Sequence, residues 1–160
     1  MVTIPLEERL ALQELVQLYP LYCDTHQFDK TCDLFTEDCV FDETSVGATR
    51  ATSRAAMREL FREAIGRIGP FMHICSDHII SAFSGSAASG TCHVLAEGIN
   101  YVDGTEKPFR IFGYYDDRYA KVDGRWYFKS RTLKLLVPSQ GAPTVGGIKY
   151  DLTAEHFAIR

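Results

Sequence analysis

At 160 residues, with 46% hydrophobic and 24% charged side chains, the chain has the size and composition of one globular domain with a real core. A net charge of -4 and scattered Lys and Arg residues argue against nucleic acid as a partner, and no apolar run reaches the ~18 residues that span a bilayer. Five cysteines, an odd number with no CxxC pair, together with no charged-then-apolar leader, argue against a secreted disulfide framework; the expectation is buried, reduced thiols in a cytoplasmic protein.

The first element starts near Thr3 and Pro5. Leu12, Leu15, Val16, Tyr19, Tyr22 and Cys23 fall at three- and four-residue steps, which is one apolar face of a helix. Pro20 removes an amide from its last turn and should kink or loosen it. Asp24 or Thr25 is placed to cap a second, short helix carrying Phe28, Cys32 and Phe35. "TEDCVFDE" reads as a strand. A third helix is expected from about Ser53, with Met57, Leu60, Phe61, Ala64, Ile65 and Ile68 on one stripe and Gly69-Pro70 as its stop.

From Phe71 the chain turns to long runs rich in β-branched and aromatic residues: "MHICSDHIISAF", "SGTCHVLAEGINYV", "FRIFGYYDDRYAKV" and "RWYFKSRTLKLLV". "SGSA", "VDGT" and "VDGR" separate them, and the two Asp-Gly pairs are hairpin turns because both residues tolerate positive φ. Helices first and an antiparallel meander afterwards define an α+β domain with helices on one face of a curved sheet, whose mouth is a natural ligand pocket. The domain is expected over residues 1–138. Residues 139–160, with Gly141, Pro143, Gly146 and Gly147 close together, are expected to be a loop-rich tail.

No phosphate-cradling Gly-rich loop, GxSxG elbow or HExxH occurs, so the chemistry has to come from His, Asp and Tyr. Strict alternation along "FMHICSDHII" puts His73, Cys75, Asp77 and Ile79 on one side and Ile74, Ser76, His78 and Ile80 on the other, unless a bulge intervenes. That separation argues against one metal ion shared by His73 and His78, and the ligand types His73, Asp77, His78 and His93 match no recognised metal spacing. His93 and Glu97 share a face of the next strand.

A carboxylate beside an imidazole fixes its tautomer and stabilises its charged form, which makes Asp24 with His73 the pair of chemical interest. The same two residues also fit a structural histidine and a helix-capping aspartate. Tyr19, Tyr22, Tyr114, Tyr115 and Tyr119 are candidate hydrogen-bond donors to a substrate carbonyl, or packing residues.

The order of elements, with "YCDTHQFDKTCDLFTEDCVFD", "FMHICSDHII" and "GYYDDRYAKVDGRWYFKSR", resembles the SnoaL-like group of the nuclear transport factor 2-like superfamily, which includes scytalone dehydratase and bile-acid 7α-dehydratase. The resemblance runs from about Leu6 to Leu136. It implies a cone-shaped α+β barrel, three helices on a strongly curved, mostly antiparallel sheet, and a homodimer or higher homo-oligomer.

It also implies a catalytic role for Asp24, His73 and Tyr19, and places Phe28 where the group usually has Trp. Arg131 or Lys134 falls at a late basic position of the last strand. A second catalytic histidine would fall near Gly98 or Ile99, where this chain has none and Glu97 lies beside. The expected site is thus catalytic His73, Asp24 and Tyr19, with Tyr22, Tyr114, Glu97, Arg131 and Phe28 around the substrate. No metal and no cofactor is expected.

The function this implies is dehydration or isomerisation of a small hydrophobic cyclic substrate bearing a carbonyl. A ligand-binding or assembly domain, or the small subunit of an aromatic-ring dioxygenase, shares the fold.

Overall fold

The computed structural model describes residues 2–48 and 50–137, so the expected tail over 139–160 lies outside the described residues. The elements run α1 (Leu6–Asp24), α2 (Phe28–Cys32), β1 (Phe35–Asp42), a 3-10 turn (Thr44–Val46), α3 (Arg54–Ala64), β2 (Ile68–Phe83), β3 (Ala87–Val102), β4 (Thr105–Val122) and β5 (Arg125–Val137). The sheet order is β1-β5-β4-β3-β2. β2 to β5 form an antiparallel meander, and β1 adds in parallel to β5.

Three helices on a five-stranded, mostly antiparallel sheet make the α+β architecture that the sequence implies. Among the described residues the sheet does not close on itself, and β1 and β2 are its two edges. Asp103-Gly104 and Asp123-Gly124 have positive φ at all four residues, which is the backbone that two-residue hairpin loops require.

α1 buries Leu12, Leu15, Val16, Tyr19 and Cys23, the periodic face read from the sequence. Each fully buried Leu or Val contributes about 1.5–3 kcal/mol, enough to hold the helix against β2 and β5 despite the missing amide of Pro20. The helix continues to Asp24, and the Thr25 hydroxyl donates to Leu21 O at 2.6 Å to satisfy the last turn. Phe35, Phe41, Phe128 and Met57 close the core between helices and sheet.

Three boundaries differ from the sequence expectation. α2 starts behind Gln27, with no side-chain cap from Asp24 or Thr25, because the Asp24 carboxylate is spent on β2. Phe35 belongs to β1 rather than to α2, where its pairing with Phe128 outweighs the helical spacing. α3 ends at Ala64, and Ile68, Gly69 and Pro70 open β2; Pro70 fits because β2 is an edge strand and can spare an amide. The cap at Ser53 is as expected, its hydroxyl accepting from Ala56 N at 3.1 Å.

Candidate active site

The end of α1 lies on β2, and this brings two residues 49 positions apart into contact. Asp24 Oδ2 accepts from the His73 backbone amide at 2.8 Å, and Asp24 Oδ1 faces His73 Nδ1 at 2.6 Å. An edge strand leaves amides without a ladder partner, and Asp24 takes one of them while holding the ring of the same residue. A carboxylate only accepts, so Nδ1 carries a proton, and the lone pair of the neutral ring is on Nε2. The two side chains are 12% and 20% exposed, which leaves the pair mostly out of water.

The next turn of β2 departs from strict alternation. Asp77 adopts φ +54, and the register with β3 shifts between Ser76 and Ile79. This bulge moves Asp77 and Ile79 to the outer face, and His78 and Ile80 join His73 and Cys75 inside. Outside, Asp77 meets His93 at 3.0 Å; the four possible metal ligands weighed above are therefore split between the two faces.

His78 faces the Tyr119 hydroxyl at 3.0 Å, and Tyr119 donates to Asp117 Oδ2 at 2.9 Å. Asp117 also receives both Arg131 Nε (2.9 Å) and Nη2 (2.8 Å). Arg131 is wholly buried, with its guanidinium 4.3, 4.2 and 4.1 Å from the ring centroids of Tyr19, Tyr115 and Phe128. Its Nη1 is buried without a hydrogen-bond partner among the described residues. Burial pushes the His78 imidazole down and keeps it neutral.

Tyr19 is 2% exposed and stands edge-on to His73, centroids 6.2 Å apart, and to Tyr115 at 5.7 Å. Burial pushes both phenols well above their ordinary range, so both remain donors at any physiological pH. Glu43, one residue past the end of β1 and half-buried, is an acidic residue that the sequence reading missed; burial pushes its carboxyl up. Alternation from buried Phe41 through outward Asp42 was the signal that could have found it.

The remaining expected residues divide. Phe28 stacks between His26 (5.4 Å) and Phe61 (5.0 Å), and His26 stacks on Phe71, which is edge-on to His73 at 5.3 Å. Phe28 thus reaches the pair through two intervening rings, and lines a cavity of about 140 Å³ with His26, Cys32, Arg58 and Phe61. Tyr22 is partly buried with Lys30 Nζ 5.6 Å above its ring.

Glu97 and Tyr114 are corrections. Both sit on the outer face, because the inward positions of β3 and β4 are the even residues from Ala88 to Ala96 and the odd residues from Phe109 to Tyr119. Glu97 pairs there with Arg110 at 2.6 Å. Tyr115, not Tyr114, points inward. A larger cavity of about 530 Å³ lies away from the pair, between α1 and the β4–β5 hairpin, lined by Glu8, Leu15, Leu18, Lys121 and Trp126.

Three helices on a five-stranded, mostly antiparallel sheet, with a carboxylate-oriented histidine on β2, define an α+β fold of the nuclear transport factor 2-like type. Residues 5–132 match the SnoaL-like domain, and the chain belongs to that family.

Among solved structures it is similar to a candidate aromatic ring hydroxylase from Novosphingobium aromaticivorans, with 27% identity over 87% of this chain and 96% of that one and a TM-score of 0.80. A candidate scytalone dehydratase from the same organism matches at 25% identity over 89% and 95%, TM-score 0.73. A hexachlorocyclohexane dehydrochlorinase from Novosphingobium barchaimii shares the fold at 21% identity over 82% and 88%, TM-score 0.70. No curated protein matches the chain.

Proposed function

We propose that the protein is a cofactor-independent lyase or isomerase acting on a hydrophobic cyclic compound that bears a carbonyl. The observation that carries this reading is the double contact from Asp24 to His73, which leaves Nε2 as a base in a largely desolvated place. His73 removes a proton from the carbon next to the carbonyl. The phenol of Tyr19 and the spare Nη1 donor of Arg131 are the hydrogen-bonding groups nearby for the enolate oxygen. The imidazolium, stabilised by Asp24, then returns a proton to another carbon in isomerisation, or helps a leaving group depart in elimination. Similarity to a candidate scytalone dehydratase supports the elimination branch.

The test is exchange of the acidic C–H for deuterium, which reports proton removal without the later step. His73→Ala should abolish exchange on a cyclic β-hydroxy ketone while the fold survives. Exchange at the wild-type rate in that variant would sink the mechanism.

The active form is proposed to be a homodimer or higher homo-oligomer. On the outer face Ile74, Leu95, Phe112 and Val137 stand in register across β2, β3, β4 and β5. Ile74 is 51%, Val137 49% and Phe112 36% exposed, a continuous apolar row of the kind that a second copy covers. The sedimentation mass of the purified chain checks this: a homo-oligomer agrees with it, and a monomer that assembles only with a larger chain favours the dioxygenase small-subunit reading.

A further inference from the structure

Bringing His78 inside destabilises the fold in two ways. Asp77 takes the left-handed backbone that favours glycine, at φ +54, and without that bulge strand alternation would turn His78 outward. Once inside, the ring keeps one nitrogen unpaired: His78 Nδ1 is buried with no hydrogen-bond partner among the described residues. A buried acceptor without a donor destabilises the folded chain, so packing alone does not account for an imidazole here.

The other nitrogen does. A carboxylate only accepts, so the single Tyr119 proton goes to Asp117 Oδ2, at 2.9 Å. Burial holds the Tyr119 phenol well above its ordinary range, and the proton stays on it. The Tyr119 oxygen, 3.0 Å from His78 Nε2, therefore accepts, and the neutral His78 ring carries its proton on Nε2. This is opposite to the neutral tautomer of His73. With the proton on Nδ1 instead, His78 Nε2 would compete with Asp117 for the Tyr119 hydroxyl.

Asp117 and Arg131 stand directly opposite one another in the β4–β5 register. A guanidinium can meet a carboxylate through its Nε and Nη2 edge or through its two Nη atoms. Asp117 Oδ2 accepts from Tyr119 as well as from Arg131 Nη2 (2.8 Å), which pins the carboxylate, and Oδ1 accepts from Nε at 2.9 Å. Nη1 is the nitrogen left over, buried and unpartnered among the described residues. A carboxylate free to turn could take both Nη atoms and leave no spare donor.

We propose that His78 and Tyr119 are positioning residues for Arg131. His78 directs the Tyr119 proton to Asp117, Tyr119 fixes the plane of the Asp117 carboxylate, and Asp117 holds Arg131 by the edge that frees Nη1 for the enolate oxygen. The use of Nη1 rests on the lyase reading above; the order of the hydrogen bonds does not.

His78→Phe tests this, because it removes the Nε2 donor and the unpaired Nδ1 together and keeps a ring in place. Its denaturant midpoint should equal or exceed that of wild type. Its kcat for deuterium exchange on β-hydroxycyclohexanone should fall about 10-fold with KM unchanged, since a contact to the enolate acts only in the transition state. His78→Gln, whose amide can donate from near the Nε2 position, should restore kcat. Tyr119→Phe should lose at least as much as His78→Phe, and combining the two should lower kcat no further than Tyr119→Phe alone, because His78 acts through Tyr119.

Exchange at the wild-type rate in His78→Phe overturns the proposal and leaves the lyase reading standing. A fall in kcat that follows a lower midpoint and is not restored by His78→Gln also overturns it, as that is the mark of a structural role. Exchange that persists in His73→Ala overturns the lyase reading instead. Nitrogen NMR of labelled histidine gives a readout that needs neither substrate nor variant: at neutral pH His78 should be Nε2–H with a bare Nδ1. His78 found as Nδ1–H overturns the proposal.

Discussion

Replacing Asp24 by Asn separates geometry from chemistry. The amide has nearly the size of the carboxylate, so its oxygen can still accept from the His73 backbone amide, now 2.8 Å from Oδ2. Its other end carries hydrogens, and it must donate to His73 Nδ1 across the present 2.6 Å contact. Nδ1 then becomes the acceptor, the ring proton moves to Nε2, and the lone pair that does the chemistry is gone.

A wrong-tautomer substitution of this kind costs on the order of 10⁴ in turnover in the Ser-His-Asp enzymes, equivalent to about 5.4 kcal/mol of transition-state stabilisation. Stability should fall less. The variant loses charge assistance in hydrogen bonds worth about 1.5–3 kcal/mol each but keeps their neutral counterparts, so a net loss of about 1–2 kcal/mol is expected. For a chain of this size that is a drop of about 2–8 °C in Tm.

Two measurements check the argument: kcat with the deuterium-exchange substrate, and nitrogen NMR of the labelled histidine. Wild type should show Nδ1–H and Asp24→Asn should show Nε2–H. A variant that keeps the Nδ1–H tautomer, or turns over at the wild-type rate, would refute the reasoning.

Asp117→Asn leaves the wholly buried Arg131 without its countercharge and should cost about 3–5 kcal/mol, read as a loss of denaturant midpoint. Arg131→Lys should not restore a double-mutant partner, because the planar fork bonds Asp117 through Nε and Nη2 while stacking on Tyr19, Tyr115 and Phe128; recovery of the midpoint would contradict this. Ile74→Glu places a charge in the middle of the apolar row Ile74, Leu95, Phe112 and Val137 and should shift the sedimentation mass to that of one chain. An unchanged oligomer would show that this row is not the interface.

Much of the architecture could be read locally. The α1 face from Leu12 to Cys23, the Ser53 cap and the two Asp-Gly hairpins depend on spacing and turn chemistry within a few residues, and they fold as read. The parallel pairing of β1 with β5 could not be read this way, since it joins Phe35 to Phe128 across the whole meander.

The site shows the same division. Asp24 and His73 are legible as chemical types, yet the helix-capping alternative for Asp24 is excluded only by its two contacts to β2. The bulge at Asp77 is a case where period two fails: one residue with positive φ reverses the faces of the residues that follow as far as Ile80, which carries His78 inside and Asp77 and Ile79 out, before a second register shift restores Phe83 to the inside.

Glu97 is expected from its place beside Gly98 and Tyr114 from its hydroxyl as a donor, and each is one residue out of phase with the interior. Glu43 escaped notice because it lies one residue past the end of β1, although alternation from Phe41 through Asp42 extends to it.

By itself the sequence determined the order of elements, the apolar faces and the chemical types that could act, because each of these is written in local spacing. Which carboxyl meets which imidazole was decided by the tertiary structure, since hydrogen bonds work over less than about 3.2 Å and only the packing of α1 onto β2 brings Asp24 within reach of His73.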